Sequence, residues 1–259
     1  MSYSDLYKRT DVIYIDYFKP NNSRVIKTLH RIHHSKKVNN VIRLPLKKLW
    51  FPNYFKNTFV NDLPLCFIVN PRWIQYSYLQ EYILYLKKLY NDAKFVCFYQ
   101  DLVETHPGAE PKKILDLFDL ILSYDKGDAE KYGLTYHPTV FSDFMVENDS
   151  NIPESDVYFI GLAKDRLELI IDVFFRLKKE GVVCDFYLSG VPTSEQIKEN
   201  GLNYIDNMSY VDNLKHVIRS KCILEIVQGK AKGSTVRTWE AIMYDKKLLT
   251  NNSTITDDF

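Results

Sequence analysis

The chain has 259 residues, enough for one large domain or two small ones, and its 46% hydrophobic content is ample for a core. Lys and Arg (34) balance Asp and Glu (33) at a net charge of +1, which gives no global argument for nucleic acid or an anionic membrane as partner. No apolar run approaches the ~20 residues of a membrane span, and the polar start MSYSDLYKRTD lacks the apolar core of a signal peptide.

Asp11–Asp16 reads as the opening strand, ending at a carboxylate, and Phe18–Ser23 as a Pro/Asn-rich loop. Helical spacing over Ser23–His34 sets Val25, Ile26, Leu29 and Ile32 on one face, and Val41–Leu44 reads as a second strand. Leu46–Phe59 mixes Lys with Trp50, Phe51, Tyr54 and Phe55 and fits a short helix or a basic aromatic loop. No glycine-rich fingerprint follows the first strand, which argues against NAD.

Leu65–Val69 is an apolar strand, followed by Asn70-Pro71-Arg72-Trp73. A helix is expected over Tyr78–Asn91, then a strand over Lys94–Tyr99 that delivers Gln100-Asp101 to a loop with His106. Pro111–Phe118 reads as a short helix, Leu120–Tyr124 as a strand and Asp125–Tyr132 as a helix capped by Gly133. Between Asp143 and Asp156 polar residues crowd together without apolar periodicity, which sets a domain boundary and gives domains of 1–145 and 146–259.

Beyond it, Asp156–Gly161 is a strand, Lys164–Gly181 a long helix and Cys184–Leu188 a strand. A helix over Ser194–Asn200, a strand over Leu202–Ile205 and a helix over Tyr210–Ser220 follow. Strands alternating with helices predict parallel sheets in both halves. Cys66, Cys97, Cys184 and Cys222 lie far apart in strand-like runs, without metal spacing, and read as buried reduced thiols of a cytoplasmic protein.

The most informative stretch is Lys221–Asn252. A strand over Cys222–Val227 leads into the loop Gln228–Gly233, with two glycines and two lysines, and then a helix over Val236–Tyr244 with Ser234 and Thr235 as capping residues. Lys247–Thr250 reads as another strand. Backbone N–H groups, a helix N-terminus and cations around one point suit a diphosphate. Arg237 in the first turn can fork onto a phosphate, and Glu240 can accept both hydroxyls of a ribose. An ordinary surface ion pair at that spacing is the other reading of these two side chains.

The segment GSTVRTWEAIMYDKKLLTNN resembles the donor-nucleotide segment of GT-B type glycosyltransferases, above all bacterial enzymes of capsule, exopolysaccharide and lipopolysaccharide synthesis. Gly233, Thr235, Arg237, Glu240, Ala241 and Lys247–Leu249 carry the likeness, which extends to Val157–Gly161 and more loosely to Ser123–Asp125 and Tyr136–Pro138. Many retaining members carry a second acid eight positions before the Glu; here that position is Lys232, so stereochemistry stays open. The resemblance implies two Rossmann-like domains with parallel sheets facing across a cleft, the first on the acceptor side and the second holding the donor. It also implies a chain that is truncated or unusually short after Thr250.

On that reading the protein transfers a sugar from a nucleotide-sugar donor to a surface-polysaccharide or lipid-linked glycan acceptor, without a metal or other cofactor. The donor phosphates and nucleotide fall to Gly161, Lys164, Arg166, Lys230, Lys232, Gly233, Ser234, Thr235, Arg237 and Glu240. Strand-end position offers Asp101 as the catalytic base ahead of Asp16, with His106 nearby. No Asp-x-Asp pair is present to hold a metal at the diphosphate. The partners are thus the donor and the glycan acceptor and not nucleic acid, in the cytoplasm, with room for peripheral association at the inner face of the membrane. The aromatic and basic Lys47–Lys56 stretch is the expected acceptor surface. The rival reading is a non-catalytic nucleotide-binding or assembly module of the same architecture, and another nucleotide-binding enzyme on this fold is a third.

Overall fold

The computed structural model describes residues 6, 8–13, 23–42, 44–54, 64–74, 77–139, 141–142, 144–227 and 232–257. The chain divides into two compact units: an N-terminal unit of Arg9–Ser123 and Asp128–Tyr136, and a C-terminal unit of Met1–Lys8, Tyr124–Gly127 and His137–Phe259.

In the N-terminal unit, helices α1 (Arg24–His33), α2 (Lys36–Val41) and α3 (Phe51–Tyr54) precede strand β1 (Cys66–Val69). Helix α4 (Ser77–Leu89), β2 (Lys94–Tyr99), α5 (Pro111–Ile114), β3 (Leu120–Ser123), α6 (Lys126–Tyr132) and β4 (Thr135–Tyr136) complete it. The strands form a parallel sheet in the order β1-β2-β3-β4. Phe95, Cys97 and Tyr99 of β2 are buried against Ile83, Leu86 and Ile114. Gly133 takes φ +67°, the left-handed turn that ends α6.

The C-terminal unit holds β5 (Ser155–Leu162), α7 (Leu167–Lys179), β6 (Cys184–Ser189), β7 (Leu202–Tyr204), α8 (Tyr210–Arg219), β8 (Ser220–Glu225), α9 (Val236–Met243) and β9 (Lys247–Thr250). All five strands are parallel, in the order β7-β6-β5-β8-β9. Side chains alternate along β5: Val157 and Phe159 pack with Ile170 and Phe174 of α7, whereas Tyr158 packs with Leu214 and Val217 of α8 and Ala241 of α9. Helices therefore cover both faces, as a buried parallel sheet requires. The fold class expected from the sequence, α/β with parallel Rossmann-like sheets, is the one observed.

Several local expectations change. Val41 ends α2 and Ile42 is its C-cap, so these two residues do not open the expected strand, and residue 43 falls outside the described residues. Ser35 caps α2 by accepting the Val38 N–H at 3.4 Å, and the Asn39 amide holds the carbonyls of His33 and Ser35, so the chain coils through Val41. Lys47–Trp50 is a 3-10 turn running into α3, the short-helix alternative. Of the proposed opening strand, Asp11 lies in a turn and Val12 and Ile13 have no regular structure, while residues 14–16 fall outside the described residues. The helix expected over Ser194–Asn200 shrinks to a 3-10 turn at Thr193–Glu195. Its backbone donors are diverted there: the Ile197 N–H to the Tyr204 hydroxyl and the Asn200 N–H to the Glu199 carboxylate. All four thiols are free, but only Cys97 and Cys184 are buried as expected: Cys66 is exposed, at the start of outer strand β1, and Cys222 is half-buried.

Candidate nucleotide site

The strand order of the C-terminal unit reverses between β5 and β8. From β5 the chain moves outward to β6 and β7, then returns to the other side of β5 for β8 and β9. Helices leave the two adjacent strands in opposite directions, and the crevice at their carboxyl ends is where open α/β sheets bind ligands. Two loops meet there, the one after β5 and the one after β8.

The loop after β5 carries three of the expected residues. Gly161 lies within β5 near its end, and Lys164 follows it, exposed and in the left-handed region at φ +46°. Arg166 reaches across the switch point. Its guanidinium donates to the Leu162 carbonyl at 2.7 Å and to the Ile226 carbonyl at the end of β8. Burial lowers its pKa, opposed by neighbouring Asp165, and its buried Nε has no hydrogen-bond partner among the described residues. A buried donor without an acceptor is an uncommon arrangement.

Lys232 and Gly233, the described end of the loop after β8, are pinned from three directions. Asp125, buried, accepts the N–H of Lys232 at 2.5 Å and of Gly233 at 3.0 Å. Thr254 donates to the Lys232 carbonyl at 2.9 Å, and the Asn252 amide to the Gly233 carbonyl at 3.5 Å. Gly233 is required by space, since a Cβ would lie 2.5 Å from the Tyr124 carbonyl oxygen. Thr235 is the N-cap of α9, its hydroxyl oxygen accepting the Arg237 N–H at 3.1 Å; Ser234 is buried just before it. Lys232 is exposed, and Lys230 lies outside the described residues.

Two buried carboxylates sit behind this loop. Glu225 at the end of β8 accepts the hydroxyls of Thr235, Thr238 and Thr250, tying β8, α9 and β9 together without a cation. Glu240 is fully buried, with Oε1 accepting from the Asn213 amide at 2.9 Å and Oε2 paired with Arg237. Arg237 also donates to Asn213 Oδ1 at 2.9 Å, which takes the Tyr158 hydroxyl at 3.1 Å as well. Burial holds the Tyr158 phenol above its usual pKa, Arg237 working against it. The Arg237–Glu240 contact is therefore no exposed surface pair but part of a buried network.

The structure thus places Gly161, Lys164 and Arg166 at the end of β5, and Lys232, Gly233, Ser234, Thr235 and Arg237 between the described end of the loop after β8 and the first turn of α9; Glu240, a turn further on, is buried against Asn213. It also shows that the Lys232 and Gly233 amides already have an acceptor in Asp125. Sequence reasoning gave Glu225 and Asn213 no role, and it included Tyr158 and Asp125 only within segments of resemblance, without a function. The available signals were an acid closing an apolar strand, Glu225, and an acid at the start of a helix after β3, Asp125.

The candidate base belongs to the N-terminal unit. Asp101 follows β2 on an exposed loop, and His106, five residues on, is buried with its ring 6.0 Å from that of Tyr99. Burial lowers the His106 pKa, against the raising effect of Asp101 and with the help of Arg72. Asn70, at the end of β1, donates to the Gln100 side chain at 3.2 Å, so the ends of β1 and β2 are linked. Asp16 lies outside the described residues.

No family model matches the chain, and no curated protein matches it in sequence. Among solved structures it is similar to an alpha-glucosyltransferase in complex with UDP and a 13-mer DNA containing a central A:G mismatch. That match has a TM-score of 0.50 at 10% identity and covers 73% of this chain and 60% of the other. An alpha-glucosyltransferase in complex with UDP-glucose and DNA containing an abasic site is less similar (TM-score 0.42, 15% identity, 73% and 61% covered). So is the glycotransferase of kitacinnamycin (TM-score 0.39, 10% identity, 90% and 65% covered). At these identities the likeness establishes the fold alone. This chain spans about 60% of the length of the first two proteins it matches.

Proposed function

We propose that the protein transfers a sugar from a nucleotide-activated donor, with the donor held at the switch point of the C-terminal unit. The observation that carries this reading is Arg166, which bridges the ends of β5 and β8 with a buried donor atom to spare. Lys164 and Lys232 add exposed positive charge on the two loops that flank it. Cations and loop amides would take the charge of the departing diphosphate, without a metal, and Lys230 is assigned the same role. Arg237 and Glu240 would reach the nucleotide from α9, where Glu240, with four lone-pair positions, keeps capacity for a ribose hydroxyl beyond its two protein donors. Asp101, with His106 beside it, is the choice for the base that deprotonates the acceptor hydroxyl, and Asp16 the second choice. The acceptor proposed is a surface-polysaccharide or lipid-linked glycan, handled by the N-terminal unit in the cytoplasm.

UDP is the first nucleotide to try, because the fold neighbour holds it. The test is thermal unfolding with UDP, GDP, CDP and UMP, on the wild type and on Arg166→Ala, followed by release of free sugar from the matching sugar nucleotide. A ligand at about 100 times its Kd stabilises by about 2.7 kcal/mol, which moves the midpoint by several degrees. A shift lost in Arg166→Ala, with turnover, is the expected result. No shift with any diphosphate sinks the donor site.

One observation favours the non-catalytic reading instead: the Lys232 and Gly233 amides point at Asp125, and both Glu240 oxygens are engaged within the protein. A binding module would give the thermal shift without any turnover.

A further inference from the structure

Helix α1 is amphipathic with its apolar stripe on the outside. Of its ten residues only His30 is buried, its imidazole 3.1 Å from the Tyr54 hydroxyl. Val25, Leu29 and Ile32, at i, i+4 and i+7, stand 66%, 54% and 48% exposed along one side. A globular helix ordinarily turns that stripe to the core. The exposure continues on the next elements, with Val41 at the end of α2 and Leu46 and Leu49 around the 3-10 turn. Hydrogen bonds tie these elements together. The Trp50 indole donates to His33 Nδ1 at 2.6 Å, His33 Nε2 bonds the Pro45 carbonyl at 2.7 Å, and Asn39 joins His33 to Lys47.

Charge supplies the second, independent observation. Between Tyr17 and Asn61 the sequence has ten Lys and Arg and not one Asp or Glu, in a chain whose net charge is only +1. The rest of the chain is therefore net acidic, and the balance hides a strongly basic segment. On α1 the cations Arg24, Lys27 and Arg31 lie along the side away from the apolar stripe and are exposed. Among the described residues none of the three has an acidic partner.

We propose that this surface of α1, α2 and the Lys47–Trp50 turn docks on an anionic lipid bilayer. Aliphatic side chains on one side of a helix and long cationic ones on another suit the boundary between acyl chains and headgroups. The stems of Lys and Arg lie along the apolar layer while their charges stay at the phosphates. A duplex nucleic acid would use the cations but gain nothing from exposed Val25, Leu29 and Leu49, so lipid fits both observations and nucleic acid only one. The proposal does not depend on sugar transfer.

Flotation of the full chain with vesicles tests it, using phosphatidylcholine alone and phosphatidylcholine with one third phosphatidylglycerol, at low and high salt. Binding is expected only to the anionic vesicles, weakened by salt. Val25→Asp with Leu29→Asp should lower the bound fraction about tenfold or more, since each side chain loses its burial in the lipid layer. Lys27→Gln with Arg31→Gln should remove the preference for the anionic vesicles. Both pairs are exposed, so circular dichroism should match the wild type. No flotation would overturn the proposal. So would binding to a duplex DNA oligonucleotide that outcompetes the vesicles and is unaffected by Val25→Asp with Leu29→Asp, or a stable dimer that buries α1 and leaves vesicles unbound.

Discussion

The Asp125 carboxylate accepts the Gly233 N–H at 3.0 Å across 108 positions of sequence. It closes the loop before α9 from inside the protein, in the place where an anion would otherwise meet those amides. Lys232 and Gly233 are thereby held before any ligand arrives, by a residue far away in the chain.

The first prediction concerns that closure. A methyl group at Gly233 would meet the Tyr124 carbonyl at 2.5 Å and the edge of its ring at 2.9 Å. Gly233→Ala should destabilise the protein by about 1–3 kcal/mol, because backbone must shift to make room. Asp125→Ala should lose a similar amount by leaving two N–H groups without their acceptor, and Asp125→Asn less. Urea unfolding reads all three; unchanged midpoints would show that the loop tolerates release.

Glu240 invites a caution about any binding experiment. Removing it strands Arg237 and Asn213 in a buried network, so Glu240→Ala should cost about 3 kcal/mol or more with no ligand present. Glu240→Gln, which keeps the acceptor toward Asn213, should cost less. Were Glu240→Ala as stable as the wild type in denaturant, the network would contribute no stability and the residue's role would lie with a ligand alone.

Lys164 separates stability from function. Its left-handed backbone at φ +46° is strained for any residue with a Cβ. Lys164→Gly should therefore gain about 0.5–1 kcal/mol in stability, net of the freer unfolded chain. The same change removes a cation from the proposed phosphate site and should weaken nucleotide binding. Opposite signs in unfolding and in nucleotide titration are the expected outcome; equal affinity would remove Lys164 from the site.

The histidines near α1 predict a pH dependence. Burial takes His34 down to about 4 and lowers His30 as well, with His33 adding to both and Lys47 adding to His34. The His30 and His34 rings stack at 4.1 Å, and Tyr54 OH lies within 3.1 Å of each Nε2. Both are neutral in the fold but take up protons in the unfolded chain near the ordinary 6.5, so stability should be full above that pH. It should fall as pH drops from about 6.5 toward 4. Denaturation midpoints through that range, for the wild type and His34→Gln, check the sign; a midpoint independent of pH would show these groups to be solvated.

Much of this architecture is legible in the sequence because it follows from period and punctuation. The alternation of strands and helices through Asp156–Thr250 is set by which residues are apolar and how they are spaced, and Lys247–Thr250 falls where the pattern puts it. The failures share a cause. At Ser194–Asn200 and at Leu44 side chains captured backbone N–H groups, Tyr204 and Glu199 in one case and Asn39 in the other. Periodicity carries no information about such captures.

The sequence by itself determined that two α/β units would form, and which loops would end at the carboxyl edge of the second sheet. Those follow from local hydrophobic period, Gly and capping residues. Only the tertiary structure decided what occupies that edge. Arg166 spans the ends of β5 and β8 because β5 is central and the strand order reverses beside it. Asp125 takes the amides of the loop, and Glu240 is buried with Asn213 rather than open to solvent. Each of these pairings joins residues far apart in the chain. Their energies depend on burial and distance, quantities that exist only once the sheet has assembled.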